Sequence, residues 1–280
     1  MELFPILTGN LKLDGGAMFG VVPKTLWNNA YPADQNNLIN LSMRCLLITH
    51  QDRVILIDNG IGKKQSEKFF NFYYLNGDDT LERSLQKRGF SFHDITDVIL
   101  SHLHFDHAGG SIQHNNNRSG WELTFPNAAY WVSKPQWEWA IHPNPREKAS
   151  FLYENIIPIQ ESGHLKFIES ETALFPDIDI RFVNGHTDGQ VLPMIHYKDK
   201  IIVFCADLLP TSAHVPLAWV MGYDTRPLLT MEEKNDFLKE ASDKEYILFL
   251  EHDIRHECCL VTSTDKGFKV NSTFNLSEVL

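Results

Sequence analysis

The run ILSHLHFDHAGG, residues 99–110, places His102, His104, Asp106 and His107 within six consecutive positions. Imidazole nitrogens and carboxylate oxygens are the usual ligands of borderline divalent ions such as zinc. Four such groups beside an apolar stretch are costly to desolvate unless a cation holds them. In an extended segment residues i and i+2 face the same way. His102 and His104 can therefore reach one ion together, while Asp106 and His107, on the turn that follows, can reach a second. A loop of this kind suits metal-assisted hydrolysis, because a bound divalent ion brings the pKa of water down to about 7. His50, His93, His114, His142, His164, His196 and His256 have no comparable company and are read as surface or hydrogen-bonded residues.

Such a loop needs elements to position it, and four apolar runs end in a residue able to bind metal. DVIL leads into His102, IRFVNG into His186, IIVFCA into Asp207 and YILFLE into His252. Continuous apolar runs are typical of strands buried in a sheet, and the chemistry of α/β folds lies just past strand ends. The pattern therefore predicts four strand ends converging on one place. CLLITH (45–50) and RVILIDNG (53–60) read as two strands joined by Gln51 and Asp52, and TLERSLQKRGF (80–90) as a helix with Leu81 and Leu85 on one face and Gly89 as its stop. HNNNRSG (114–120) reads as a surface loop.

With 280 residues, 43% of them hydrophobic and 22% charged, the chain is long enough for one large or two-halved α/β domain and lies far from the disordered regime. Its formal charge of −11 opposes long-range attraction to nucleic acid or to an anionic membrane. A small-molecule substrate fits better. The N-terminal segment lacks the features of a secretory signal, and no stretch reaches the length of a membrane span, so a cytoplasmic location is expected. Cys45, Cys205, Cys258 and Cys259 are too few and too irregularly spaced for a disulfide framework and are read as buried thiols.

SHLHFDHAGG matches the HxHxDH motif of the metallo-β-lactamase fold hydrolases, and the resemblance extends over nearly the whole chain through NGHTDG, CADLLP and LEHD. It implies an α/β (α+β) architecture: an αββα sandwich of two mixed sheets flanked by helices, forming one domain over residues 1–280 with the site where its halves meet. By the same resemblance His102, His104 and His186 hold a first metal, Asp106, His107 and His252 a second, and Asp207 bridges them. The implied cofactor is a pair of divalent ions, Zn2+ first, with Mn, Fe or Co as alternatives. The implied mechanism is attack on an ester-type bond by a metal-bridging hydroxide, with Asp106 passing a proton to the leaving group. His104 stands where iron-dependent relatives often carry glutamate, which disfavours diiron redox chemistry. Asp207 points away from the lactam-cleaving branches and toward the lactonase, phosphotriesterase and glyoxalase II-like ones.

DGGAMFGVVPKTLW (14–27), PNPREKASFLYENIIPI (143–159) and the segment 206–230 resemble the quorum-quenching lactonase and organophosphate-hydrolase branch. The substrate this implies is a lactone such as an N-acyl homoserine lactone. The alternatives are a phosphotriester or aryl ester and, in a different enzyme class, sulfur dioxygenation at a single iron. Met18, Phe19, Val21 and Trp27, with Trp131, Trp137 and Trp139, are candidates for an acyl-chain tunnel. Tyr223 is the candidate donor to a substrate carbonyl, a role that a tyrosine has in such lactonases, and His214 is a neighbour of that segment. Gln190 departs from the many relatives that carry a second histidine after the Gly-His pair. An exposed apolar N-terminal loop is consistent with a homodimer.

Overall fold

The computed structural model describes residues 1–280. In chain order the first elements are β1 (Glu2–Asp14), α1 (Gly15–Phe19), α2 (Lys24–Ala30), β2 (Leu38–His50), β3 (Arg53–Ile57), α3 (Glu67–Tyr73), α4 (Leu81–Lys87) and β4 (Asp97–Ile99). Then come α5 (Phe105–Ala108), β5 (Ile112–His114), β6 (Trp121–Leu123), β7 (Ala129–Ser133), α6 (Lys134–Ile141), α7 (Tyr153–Glu161) and β8 (Leu165–Ile168). The last third holds β9 (Ala173–Phe175), β10 (Ile178–Val183), β11 (Gln190–Tyr197), β12 (Lys200–Phe204), α8 (Pro227–Asp243), β13 (Ile247–Phe249), β14 (Cys258–Thr264) and β15 (Gly267–Phe274). The fold class is mixed α/β, as the apolar runs suggest. No helix is long and apolar enough to cross a membrane.

Two compact units divide the chain: residues 1–10 with 43–170, and residues 11–42 with 171–280. The first is built on a six-stranded mixed sheet of order β1-β2-β3-β4-β7-β8. The hairpin read from sequence is there, with Leu46 opposite Ile57 and His50 opposite Arg53, and Gln51 takes a positive φ at its turn. From β3 onward the neighbours β3, β4, β7 and β8 run parallel. Leu47, Leu56, Val98, Tyr130 and Val132 form a buried core against Trp137, Ile156 and Ile159 of the helices. Helix α4 begins at a Thr80 cap, buries Leu85, and is followed by Gly89 at φ 85°. Of the polar stretch 114–120, His114 ends β5 opposite Trp121 and residues 115–120 form the loop of the β5–β6 hairpin.

The second unit holds a seven-stranded mixed sheet of order β15-β14-β13-β12-β11-β10-β9. Its one parallel pair among the registered strands is β12 with β13. Strands β10, β11 and β12 alternate in direction, so β10, β12 and β13 all end at the same edge. Phe204 and Phe249 stack at 5.6 Å beneath that edge. Helix α8 lays Thr230, Lys234, Phe237, Leu238 and Ala241 inward as one buried stripe, the helical period of an amphipathic face. All four cysteines are buried and unbridged, and burial pushes the Cys205 thiol well above its ordinary pKa, as expected of packed thiols.

Candidate metal centre

In the first unit the parallel neighbours β3 and β4 end at one edge, which brings Asp58 beside the loop that follows Ile99. Asp58 is fully buried and accepts hydrogen bonds from the Ser101 amide (2.7 Å), the Ser101 hydroxyl (2.5 Å) and His107 Nδ1 (3.0 Å). Because the Ser101 hydroxyl spends its proton on Asp58, its oxygen accepts from His102 Nδ1 at 3.0 Å. His102 Nε2 then carries a lone pair, and it lies 3.0 Å from Nδ1 of His104. On the far side of that ring, His104 Nε2 donates to Glu147 at 3.3 Å, which leaves a lone pair on Nδ1 as well. Glu147 is fixed by the Trp139 indole and the Asn144 amide, both at 2.6 Å. His102 and His107 rings lie 3.9 Å apart, and His107 Nε2 is 3.8 Å from Asp106. All four side chains are buried.

Two further contacts hold this loop. The Asn59 amide donates to the His107 carbonyl (2.9 Å), and Lys64 Nζ donates to the Gly109 carbonyl (2.5 Å). Burial lowers the Lys64 ammonium to a pKa of about 7. Gly62 sits so close to Gly109 that a Cβ there would meet its carbonyl oxygen at 2.5 Å, so only glycine allows this approach.

The second unit presents the remaining three candidates at its common strand edge. Past β10, His186 donates from Nδ1 to Asp224 at 2.9 Å and turns Nε2 to Asp207 Oδ2 at 3.2 Å. Past β13, His252 donates from Nδ1 to the Ser42 carbonyl at 2.7 Å and turns Nε2 to Asp207 Oδ1 at 3.1 Å. Asp207, just past β12, thus offers one oxygen to each imidazole. The loop carrying His186 is clamped on α8: Glu233 accepts from the amides of Asn184 (2.7 Å) and Gly185 (2.9 Å), and Arg226 donates to Asp188 (2.7 Å). A Cβ at Gly185 would stand 2.3 Å from the Thr230 amide nitrogen. Lys234 reaches out of the buried stripe of α8 to donate to the carbonyls of His214, Pro216 and Trp219 at 2.9–3.0 Å, which anchors the segment leading to Asp224.

This donor chemistry can be tested against a metal. In all five histidines one nitrogen is occupied by a carboxylate, a carbonyl or a hydroxyl, so the neutral ring has its proton there and its lone pair at the other nitrogen. Those lone pairs face one another (His102 and His104) or face carboxylate oxygens (His186 and His252 toward Asp207) at 3.0–3.2 Å. Acceptor against acceptor in a buried place is repulsive unless a cation lies between. Partners of this sort on the outer nitrogen are also what fix the tautomer of metal-binding histidines. The residues present therefore fit divalent ions with nitrogen and oxygen ligands.

Of the other residues singled out from sequence, Tyr223 is 40% exposed and directly precedes Asp224. Met18, Phe19 and Trp27 are buried, and Phe19 is sandwiched between Trp27 (5.3 Å) and His214 (4.7 Å) with both rings nearly parallel to it. Their segment forms α1 and α2 and leaves Val21 exposed at 91%. Trp137 lies in the core of the first unit, while Trp131 donates to Asp97 and Trp139 to Glu147. Gln190 is buried at the start of β11 opposite Val183.

Reading the sequence left out Asp58, Glu147 and Asp224, the carboxylates that orient three of the imidazoles. Asp58 was within reach, since RVILID is another apolar run ending in an acid; nothing local marks the other two. An aromatic group beside Asp106 was also missed: Phe69, Tyr73 and Phe105 pack with centroids 4.5–5.6 Å apart. Burial, with the Asp106 carboxylate adding to it, pushes the Tyr73 phenol up to about 12.

Comparison with known proteins agrees with this chemistry. Residues 43–113 match the metallo-beta-lactamase superfamily. A probable metal-dependent hydrolase from Staphylococcus aureus shares 30% identity at a TM-score of 0.88, covering 98% of this chain and 96% of that one. AidC, a dizinc quorum-quenching lactonase solved with a product, shares 25% identity at a TM-score of 0.80, covering 98% and 95%. The N-acyl homoserine lactonase of Bacillus thuringiensis is 28% identical over 238 residues, 79% of this chain and 84% of its own length. These neighbours include a probable metal-dependent hydrolase and a dizinc lactonase, and the chain belongs to the metallo-β-lactamase superfamily.

Proposed function

We propose that the chain works as a single hydrolase in which the two donor sets share a pair of divalent cations, and that it opens the ring of a lactone, with an N-acyl homoserine lactone as the preferred substrate. His102, His104 and His186 would hold one ion, Asp106, His107 and His252 the other, and Asp207 both. The observation that carries this reading is the set of five tautomer-locked imidazoles whose lone pairs face other acceptors. Zinc is the proposed metal, because its preferred ligands are those present and a neighbour with the same fold is described as a dizinc lactonase.

When bound, the cations supply Lewis acidity and a nucleophile drawn from water at neutral pH. The chain's own residues supply the rest. Asp58, Glu147, Asp224 and the Ser42 carbonyl hold the imidazoles in the productive tautomer. The Asp106 carboxylate, on the first turn of α5, is the group to carry a proton to the leaving alkoxide. Tyr223 offers a phenolic hydroxyl to the substrate carbonyl oxygen, where negative charge develops. Phe69, Tyr73 and Phe105 form an apolar wall next to Asp106 suited to an acyl chain. A neutral lactone also meets no electrostatic barrier from a chain of charge −11.

Metal stoichiometry on the purified protein, paired with specificity constants for a panel of lactones, phosphotriesters, thioesters and β-lactams, tests the reading. Two ions per chain and the highest kcat/KM on N-acyl homoserine lactones are expected, with activity lost on chelation and restored by zinc. Saturation at a single ion, or no turnover of any lactone, would overturn it.

A further inference from the structure

Helix α3 is rich in aromatic residues that its neighbours leave uncovered. Phe69, Phe70, Phe72 and Tyr73 fill four of its seven positions, yet no residue of the helix is buried. Ser66 caps it and accepts from the Phe69 amide at 3.2 Å. Aromatic side chains bring large burial energies, so a helix of this composition kept open is suited to an apolar guest. It reaches the loop of candidate metal ligands: Phe105 packs edge-on against Phe69 at 5.6 Å and against Tyr73 at 4.5 Å, and Asp106 follows directly.

Tyr73 brings a polar atom to this carbon surface. Its contacts are ring contacts, with Phe69 at 4.9 Å and with Phe105, and its hydroxyl is spent on no protein acceptor. The residue is half-buried and its oxygen is not enclosed. Burial, with the Asp106 carboxylate adding to it, raises the phenol to a pKa of about 12, so it is protonated and able to donate at neutral pH. Laid on a wall of carbon alone, the amide of an acyl arm would lose its water without a replacement, which is unfavourable. An alkyl arm would then be preferred. An open phenolic donor in the wall reverses that order.

We infer that the Tyr73 hydroxyl donates to the amide carbonyl oxygen of the substrate's acyl arm and thereby selects acylamino lactones over alkyl lactones. That carbonyl is the first acceptor outside the lactone ring, and Asp106, next to the wall, is the group assigned to the leaving oxygen of the ring. The assignment rests on the lactonase reading and adds to it a residue that tells apart substrates of the same ring and tail length.

The test compares N-hexanoyl homoserine lactone with α-heptyl-γ-butyrolactone, in which methylenes replace the N–H and the carbonyl of the amide. With the zinc-loaded full chain, the ratio of their kcat/KM values, acylamino over alkyl, should fall about tenfold on Tyr73→Phe, the worth of one hydrogen bond. The loss should lie in KM, because the contact is remote from the reacting atoms. Calorimetric titration with the ring-opened product, N-hexanoyl homoserine, should show the same weakening, with zinc content unchanged. Phenylalanine keeps the ring contacts, so the comparison isolates the hydroxyl. A ratio and a product affinity that Tyr73→Phe leaves unchanged, or a loss confined to kcat, would overturn the assignment while the lactonase reading stands. Turnover of neither lactone would overturn both.

Discussion

Oδ1 of Asp207 lies 3.1 Å from Nε2 of His252, an imidazole whose Nδ1 already donates to the Ser42 carbonyl. The other oxygen, Oδ2, lies 3.2 Å from Nε2 of His186, whose Nδ1 donates to Asp224. One carboxylate thus faces two lone pairs, an arrangement that a shared cation pair would stabilise. Asp207→Ala should lower zinc stoichiometry from two toward one per chain and reduce lactonase kcat/KM about 100-fold or more, since first ligands matter at least as much as the groups behind them. Atomic absorption and steady-state kinetics on the same preparation check it. A variant with two ions and full activity would remove the bridging role.

Glu147 and Asp224 touch no proposed metal position, yet each fixes the ring of a ligand. Glu147→Ala and Asp224→Ala should each weaken zinc affinity by about 10–100-fold. Competition with a chromophoric chelator reads this directly. The Glu147 variant loses the contact to His104 and the Asp224 variant the one to His186, so both are expected to refill at high zinc and regain much of their turnover.

Tyr223 is half-exposed and next to Asp224, and its hydroxyl is the group assigned to the substrate carbonyl. Tyr223→Phe removes only that hydroxyl. Loss of one donor to developing charge typically slows kcat by about 10²–10³. The expected signature is a fall in kcat with unchanged zinc content; unchanged kinetics would return Tyr223 to the role of a surface residue.

His214 links pH to stability. It is buried, donates from Nε2 to the Met18 carbonyl (2.8 Å) and accepts from the Thr211 hydroxyl (2.7 Å), and burial lowers its pKa from 6.5 to about 4. Between those two values the unfolded chain binds the proton and the folded one does not. Stability from this residue is therefore constant above about 6.5, declines as the pH falls toward 4, and is level below. The full difference is about 3 kcal/mol. His214→Gln, which keeps a donor for Met18, should flatten this part of the profile, measured as the difference in urea midpoint between the two proteins across that window.

The candidate metal ligands were legible because their chemistry is local in type. His102, His104, Asp106 and His107 share one short loop, and His186, Asp207 and His252 each end an apolar run, so residue type, spacing and strand pattern pointed to them together. The β2–β3 hairpin and α4 were legible for the same reason, their turn, cap and periodicity being written within a few residues. Glu147 and Asp224 were not, because an acid on a connecting segment looks the same whether it meets solvent or an imidazole 43 or 38 positions away. Met18, Phe19 and Trp27 show the same limit: an apolar stretch near the N-terminus is equally suited to lining a tunnel or to packing, and only the stacking of Phe19 between Trp27 and His214 put these side chains inside. Sequence by itself determined which atoms can bind a cation. Tertiary structure decided which nitrogen of each ring carries the lone pair, since a tautomer is set by the hydrogen bond on the ring's other side, and that partner comes from elsewhere in the fold.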